Sequence, residues 1–404
     1  MAQYPPRTGR LKKHLNLIPA AARVRPRRLF SFMTTADGLR TRPFAARREK
    51  MRSLRKASQN GVQHESFPDL TVPWLFEQNR ASFDQYGEPR RPTEEAVRRY
   101  LAEFLGDRRI VELPRWKWWP ILHGIILRTR PKKSAERYRG VWTDEGSPLI
   151  VHTRRTAGAL EAELGIPVYW SMRYGSPSTA SVLDRMKADG VGRVLVMPMF
   201  AQYASQTTAA CLDGVSEYQL SHVDAPAVRT IHDYHDDPAY IDALAAHVRA
   251  YWDEHGSPVS TGGRLVMSFH GIPQASSNRG DVYEAQCLRT ASLLAERLGL
   301  EEGAWSVCFQ SRFGRDEWLR PYTIDSVREL AEAGVPRIDV VCPGFAADCL
   351  ETIEEIDDEL RREYLAAFRD DAGAEFHYIA ALNDSPEAVK AYASIVRREA
   401  AGWI

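Results

Sequence analysis

From Pro92 onward, apolar and polar residues follow two regular patterns. Short apolar runs, typical of buried strands, are separated by longer segments with the three-to-four-residue apolar spacing of amphipathic helices. Seven runs are predicted to be strands: Pro148–His152, Val168–Met172, Val194–Met199, Arg264–Phe269, Trp305–Gln310, Ile338–Val341 and Phe376–Ile379. Strands that alternate with helices in this way predict an α/β fold with parallel sheets.

The first predicted helix has a clear start. It runs to Leu105, with Thr93 as its N-cap, Pro92 before the cap and two acids in the first turn. Further helices are predicted at Ala157–Leu164, Ser178–Asp189, Ala239–Glu254 and Gln286–Leu298.

These elements are predicted to form two Rossmann-like, doubly wound lobes with parallel sheets and a cleft between the lobes. Seven strands over about 300 residues suit two such sheets better than one. The first lobe is placed at residues 71–215, and a C-terminal helix at 385–404 is a candidate to return to it. The second lobe is placed at 216–384, and residues 1–70 form a separate segment.

Charge sets this N-terminal segment apart. Residues 1–60 hold 16 Lys and Arg against 2 Asp and Glu, a balance of +14, while the remaining 344 residues have a balance of −13. A basic segment that is separable from the folded body accounts for this division. Disorder, an organellar transit peptide and translated sequence outside the natural protein are three alternatives that the pattern leaves open.

The compartment is predicted from what the sequence lacks. No apolar run reaches the roughly 18 residues of a membrane span, and the N-terminus has no apolar core of a secretory signal. Five cysteines stand at positions 211, 287, 308, 342 and 349, and none forms a C-x-x-C pair. A reducing, cytoplasmic location is the expectation.

Polar and glycine residues follow four predicted strands at the point where each strand ends. Ligands bind at this carboxyl edge in open α/β sheets, so these segments predict one shared cleft. The segments are Arg173–Ser178, Phe200–Thr208, His270–Pro273 and Cys342–Thr352.

His270 and an acidic series are the strongest chemical candidates. His270 directly follows a strand, and a neutral imidazole can accept a proton or bind a metal near neutral pH. Asp348, Glu351, Glu355 and Asp358 are spaced i, i+3, i+7 and i+10, which predicts one face of a helix. Carboxylates on one face can hold a divalent cation or pass protons, and the alternatives are a structural histidine and a solvated acidic face.

Several of these segments resemble one known family. The motifs SFHGIP at Ser268–Pro273 and CPGFAADCLET at Cys342–Thr352 resemble those of ferrochelatases, and Pro198–Tyr203 and Phe309–Gly314 agree with them. The resemblance implies a chelatase-like fold around a porphyrin cleft. It also implies a lyase of haem biosynthesis that inserts Fe²⁺ into protoporphyrin IX, with both as substrates, no prosthetic group and no nucleic-acid partner.

By this resemblance, His270 and Glu351 are the catalytic residues. His270 accepts a pyrrole proton, binds the metal, or does both, and Glu351 works opposite it. Asp348 and Glu355 are implied as further metal ligands behind this pair.

Four residues are candidates for porphyrin contact. An arginine can pair with a propionate in a bidentate way, and a tyrosine offers a flat apolar face with a polar tip. Ordinary packing at a strand end is the alternative for each. The four are Arg173, Tyr174, Tyr203 and Ser205.

The apolar, aromatic stretch Trp116–Leu127 has three interpretations. It forms a lip over the porphyrin, a peripheral contact with the inner membrane, or a buried helical hairpin. Basic residues on both sides of it would suit anionic headgroups.

The resemblance fails at the N-terminus. The family begins with an apolar strand ending in Leu-Gly-Thr-Pro, whereas Ser82–Pro89 keeps only the glycine and the proline, after polar Glu77–Arg80. The first strand is therefore expected to be degraded or missing, since buried parallel strands are nearly continuous in apolar residues. A catalytically impaired porphyrin- or haem-binding protein is thus the alternative function. No cysteine follows Cys349, so no iron–sulfur cluster is predicted.

Overall fold

A computed structural model describes residues 74–78, 87–314, 316–368 and 373–403, with the backbone alone for 74–78. The described residues belong to one unit, which begins at Phe67. The predicted basic segment 1–70 lies outside the described residues.

Eight strands in the described part of the chain form two four-stranded sheets, and every strand pair is parallel. The first sheet has the order β2-β1-β3-β4, with β1 Trp74–Gln78, β2 Val168–Met172, β3 Arg193–Pro198 and β4 Ala227–Thr230. The second has the order β6-β5-β7-β8, with β5 Arg264–His270, β6 Trp305–Gln310, β7 Arg337–Val341 and β8 Glu375–Ile379. The predicted fold class, two lobes with parallel sheets, is confirmed.

Helices connect these strands along the chain. In the first half they are α1 Glu94–Gly106, α2 Arg115–Ile121, α3 Leu127–Val141, α4 Pro148–Leu164, α5 Thr179–Ala188, α6 Thr208–Ser221 and α7 Pro238–His255. In the second half they are α8 Gln274–Asn278, α9 Tyr283–Leu298, α10 Thr323–Glu332, α11 Arg361–Ala367 and α12 Pro386–Glu399. Two π-helical segments, Leu122–Ile126 and Glu351–Leu360, and one 3₁₀ turn, Pro258–Thr261, complete the set.

The central strand of the second sheet explains why its sequence is so apolar. Residues Leu265 to Phe269 of β5 are completely buried. A parallel strand with neighbours on both sides and helices on both faces has no solvent face, so apolar residues do not alternate with polar ones. The same geometry brings the residue that follows each strand to one edge.

Helix α1 begins as predicted. The Oγ1 atom of Thr93 accepts a hydrogen bond from the Ala96 N–H at 3.3 Å. Tyr100 and Phe104 on its inner face are buried, and the Phe104 ring lies 5.6 Å from that of Tyr174. This packing fixes the turn after β2.

The prediction of a strand at Pro148–His152 is wrong, because these residues form the start of α4. Proline suits the first turn of a helix, where its missing N–H costs nothing, and Gly165 ends α4 in the left-handed conformation at φ 69°. A short apolar run alone does not distinguish a strand from a buried helical segment.

The expectation that the first strand is missing is also wrong. The backbone of Trp74–Gln78 pairs with both β2 and β3 and lies in the centre of the first sheet. Backbone hydrogen bonds need no particular side chain, so a run with polar Glu77 and Gln78 at its end can still fill this place. Residues 79–86, which include most of the departure from the family motif, lie outside the described residues.

The first sheet extends past residue 215, the predicted end of the first lobe, because β4 pairs with β3. Two polar residues in a four-residue strand make β4 hard to detect from sequence. Helix α12 returns to the first lobe and lies against α4, since Arg397 donates to Glu163 of α4 at 3.0 Å. Arg229 of β4 also donates to the Glu399 carbonyl oxygen at 2.7 Å.

Candidate active site

His270 is the last residue of β5 and is 4% exposed. Its Nδ1 lies 2.6 Å from the carbonyl oxygen of Gly271. Because a carbonyl only accepts, Nδ1 carries the hydrogen in this contact, and the lone pair of the neutral ring is on Nε2. The side chain is therefore oriented as a base that acts through Nε2.

The surroundings of His270 come from both sheets. Its ring lies 6.3 Å from that of Trp318 and 6.5 Å from that of Phe345, measured between centroids. A cavity of about 10 Å³ is lined by His270, Tyr283, Gly344 and Phe345 and by three residues that follow β3, namely Phe200, Gln202 and Thr207. The segments after β3, β5 and β7 thus meet here, as the strand-end pattern predicts.

Glu351 opens the π-helix Glu351–Leu360 and is 4% exposed. Its Oε2 accepts a hydrogen bond from the Cys349 Sγ at 3.0 Å. Its backbone carbonyl accepts from Nε2 of Gln310, the last residue of β6, at 3.0 Å. Cys349 thus contacts the Glu351 carboxylate, and Gln310 holds the backbone of the same residue.

Glu355 lies one π-helical turn further on. Its Oε1 accepts from the Ser311 backbone N–H at 2.7 Å, and its Oε2 accepts from the Ser311 hydroxyl. The pKa of Glu355 rises from 4.5 to about 7, mainly because the carboxyl is buried; the Ser311 hydrogen bonds oppose this rise and the charge of Glu351 adds to it. A carboxyl with a pKa near neutrality can both accept and release protons.

A pocket of about 550 Å³ adjoins these two acids. Glu351, Glu355 and Glu359 line it at a spacing of four residues, as expected for one face of a π-helix. Basic and aromatic side chains also line it, namely Arg130, Arg137, Arg312, Arg328, Phe309, Phe313 and Tyr322. With Asp325, the pocket lining brings four carboxylates together beside four arginines.

Asp358 does not share this face, contrary to the prediction. It is exposed and pairs with Arg362 at 2.8 Å. The i→i+5 hydrogen bonds of a π-helix rotate the chain less per residue than those of an α-helix, so residues seven apart no longer align.

Asp348 is placed differently from Glu351 and Glu355. Its oxygens accept from the Tyr378 hydroxyl at 2.5 Å, the Thr352 hydroxyl at 2.9 Å and the Asn383 side-chain amide at 2.7 Å. It does not belong to the lining of the 550 Å³ pocket. Asp348 therefore anchors the segment that leads into the π-helix.

Arg173 and Tyr174 follow β2 and share one acidic partner. The Tyr174 hydroxyl donates to Asp107 at 2.7 Å, and Arg173 Nη2 donates to the same carboxylate at 2.9 Å. Burial alone would raise the pKa of Asp107, but the hydrogen bond from Tyr174 and the charge of Arg173 lower it. The structure brings these two candidate porphyrin ligands to each other and to Asp107, and neither lines the two pockets described above.

Tyr203 and Ser205 follow β3, where Ser205 contacts Arg109 and Tyr203 contacts His232. The Tyr203 ring is stacked on His232, with centroids 4.2 Å apart. The Ser205 hydroxyl accepts from Arg109 Nη1 at 3.2 Å, and Arg109 Nη2 also pairs with Asp213 at 2.9 Å.

Sequence reasoning missed four residues of this arrangement. Ser311, Gln310, Cys349 and Arg109 each contact a candidate site residue. Ser311, Gln310 and Cys349 lie within the family motifs quoted above, and this position in the motifs could have indicated them.

The stretch Trp116–Leu127 presents two faces. Trp116 and Ile125 are 74% and 57% exposed, whereas Leu122 and Leu127 are buried. The outer face therefore does not fit a buried hairpin. Among the described residues, no helix has both the length and the apolar character to cross a membrane.

An imidazole and carboxylates at the carboxyl ends of parallel strands are groups with which an enzyme can accept protons and hold a divalent metal. The family model for ferrochelatase matches residues 84–400. The ferrochelatase of Polaromonas sp. strain JS666 is 51% identical over 322 residues, which cover 78% of this chain and 86% of that protein. The chain belongs to the ferrochelatase family.

Two further comparisons complete this finding. The ferrochelatase of Azoarcus sp. strain BH72 is 50% identical over 79% of this chain and 86% of that protein. The solved structure of SirB from Bacillus subtilis with Fe³⁺ overlaps at a TM-score of 0.45 and 16% identity, over 64% of this chain and 93% of that one. Strand β1 precedes the residues that the family model matches.

Proposed function

We propose that this ferrochelatase inserts Fe²⁺ into protoporphyrin IX and so forms protohaem, the terminal step of haem biosynthesis. The observation that carries the proposal is the orientation of the His270 ring, set by the Gly271 carbonyl, together with buried Glu351 and partly buried Glu355. Insertion forms four metal–nitrogen bonds and releases two pyrrole protons, so it needs a base and a supply of metal. The chain offers both in the segments at the ends of β5 and β7.

His270 is the proposed acceptor of a pyrrole proton. Its Nδ1–H is held by the Gly271 carbonyl, which leaves the basic Nε2 to face the substrate. The apolar rings of Trp318 and Phe345 beside it suit a macrocycle, because they exclude water from the imidazole. As a neutral imidazole, His270 can also bind the metal briefly.

Glu351 and Glu355 are the proposed oxygen ligands on the metal's path. A buried and a partly buried carboxylate close together repel each other unless a cation or a proton joins them. A divalent metal entering the 550 Å³ pocket would meet Glu355 and Glu351 in turn. Asp348, whose oxygens already accept three side-chain hydrogen bonds, supports this path as an anchor.

Porphyrin contact is proposed for Tyr203 and Ser205, with Arg109 beside them as a cation for a propionate. Arg173 and Tyr174 are proposed to support that side of the cleft through Asp107. Because β1 is present in the centre of the first sheet, a missing strand no longer favours an impaired binding protein.

Metal insertion by purified protein tests the proposal. Loss of protoporphyrin fluorescence on addition of Fe²⁺ measures turnover, and Zn²⁺ should also be accepted, since imidazole and carboxylate ligands bind it. Porphyrin binding without insertion of either metal would refute the proposal.

The exposed face of Trp116–Leu127 is proposed to contact a membrane surface. Trp116 and Ile125 would enter the interface, and Lys117 is placed to meet anionic headgroups. We expect Trp116→Ser with Ile125→Ser to weaken binding to anionic phospholipid vesicles several-fold, measured by sedimentation. Leu220→Ser, which changes an even more exposed apolar residue elsewhere, is the matched control, and an equal loss in the control would contradict the proposal.

A further inference from the structure

Ser311, the residue directly after β6, has an unusual backbone. Its φ is 64°, in the left-handed region that a residue with a Cβ rarely adopts. Among the described residues, Asn383 alone shares this property without being glycine, and asparagine tolerates the conformation better than serine. Such strain persists only where the surroundings hold the residue in place, and it concentrates at functional sites.

The left-handed backbone lets one residue hold both oxygens of Glu355. The Ser311 N–H donates to Oε1 at 2.7 Å, and the Ser311 hydroxyl donates to Oε2. One donor belongs to the backbone of Ser311 and the other to its side chain. Both can reach one carboxylate only when the backbone φ and the side-chain rotamer point the N–H and the hydroxyl in the same direction. Ser311 and Glu355 lie 44 positions apart, so this contact also ties the end of β6 to the π-helix.

We infer that Ser311 is a positioning residue, which fixes the Glu355 carboxylate toward the pocket beside Glu351 and so sets how the enzyme takes up its metal. The inference rests on the proposed role of Glu355 on the metal's path. Ser311, Glu355 and Glu351 all line the same 550 Å³ pocket. A hydroxyl and an N–H orient the carboxylate without adding a positive charge, so its charge stays available to a cation.

Two substitutions separate orientation from strain. Ser311→Ala removes the hydroxyl and keeps the strained backbone, whereas Ser311→Gly removes both the hydroxyl and the strain. We expect both variants to raise the KM for Zn²⁺ and Fe²⁺ about tenfold, as for loss of a hydrogen bond to a charged group. The KM for porphyrin should change less than about twofold, because Ser311 is proposed to act on the metal through Glu355 and not on the porphyrin.

The melting temperatures of the same two variants should diverge. Ser311→Gly should melt at or above the parent temperature, and Ser311→Ala should melt below it, because only glycine relieves the left-handed strain. A metal KM that follows melting temperature instead of the hydroxyl would overturn the inference. Ser277→Ala is the matched control, since Ser277 donates to Glu284 at 2.8 Å and lies outside the pocket.

A double-mutant cycle with Glu355→Ala completes the test, since alanine leaves no acceptor for Ser311. If Ser311 acts through Glu355, the double variant should have the same metal KM as Glu355→Ala alone. Additive effects would overturn the inference, as would an effect of Glu355→Ala with none of Ser311→Ala. An unchanged metal KM in Glu355→Ala would instead refute the proposed role of Glu355 itself.

Discussion

The acids at the carboxyl ends of the two sheets have different hydrogen-bond partners. At the first sheet, Asp107 accepts a hydrogen bond from the Arg173 guanidinium, so acid and cation neutralise each other. At the second sheet, Glu355 is held by the uncharged N–H and hydroxyl of Ser311, and Glu351 lies close enough to raise its pKa.

This difference indicates what each edge can do. A buried acid that is already paired with arginine stabilises the fold. If one partner is removed, the other remains as an unpaired buried charge, whose desolvation is no longer compensated. Acids oriented by uncharged donors keep the capacity to bind a cation or a proton. Changes in the first group should therefore alter stability most, and changes in the second should alter turnover most.

The largest expected effect is that of His270→Ala. The variant lacks the base proposed to take a pyrrole proton, so turnover should fall by about 10²–10⁴-fold. Porphyrin affinity should change much less, because the macrocycle and propionates supply most of the binding. Metal insertion and porphyrin binding are measured on the same preparation by fluorescence. Turnover within a few-fold of the parent would remove His270 from the mechanism.

The next largest effect is expected for Glu351→Gln. Measured beside Asp107→Asn, it tests directly whether the acids of the two sheets differ in role. The amide keeps the volume of Glu351 and loses its charge, so turnover should fall by about 10²-fold while the melting temperature holds. Asp107→Asn should lower the free energy of unfolding by about 1–3 kcal/mol, since Arg173 and Tyr174 lose a charged acceptor. Urea unfolding and the insertion assay on both variants check this. The reverse pattern would show that the two edges do not differ as described.

The pH dependence of stability should also differ between the edges. The pKa of Glu355 rises from the usual 4.5 to about 7, so the folded state keeps a proton that the unfolded chain has lost. The stability from this group is complete below pH 4.5 and is lost as pH rises to about 7, which amounts to about 3 kcal/mol. The lowered pKa of Asp107 acts in the opposite sense, because its contribution is lost as pH falls.

Glu355→Gln isolates this effect. Its free energy of unfolding, measured in urea from pH 5 to pH 8, should fall less with rising pH than that of the parent. Parallel curves for the two proteins would show that Glu355 does not titrate in this interval.

The chemistry at the second sheet was more predictable from sequence than the support around it. His270 and Glu351 follow apolar strands within distinctive motifs, and the strand-end rule predicts that they share an edge. The contact of Ser311 with Glu355 joins residues 44 positions apart, and no local pattern indicates it. The π-helix escaped prediction as well, because an acidic run has the same composition in either helix type.

The first sheet was less predictable for a different reason. Strands β1 and β4 contain polar residues and are short, so their pairing depends on backbone hydrogen bonds and on the neighbours that receive them. Pro148–His152 has the composition of a buried strand, and the proline at its start was the signal for a helix.

The smallest expected effect is that of removing the basic N-terminal residues, and it sharpens the comparison between the two sheets. A chain that starts at Ser66 keeps β1 and the whole unit that begins at Phe67, so its melting temperature should match the parent's.

A chain that starts at Gly87 lacks β1, which leaves β2 and β3 without the strand between them. Amide hydrogen exchange should then show lost protection in β2 and β3 and retained protection in β5 and β7, because the second sheet keeps all four strands. A lower melting temperature for the chain that starts at Ser66 would mean that the basic residues stabilise the fold, and equal protection of both sheets without β1 would mean that this strand does not hold the first sheet together.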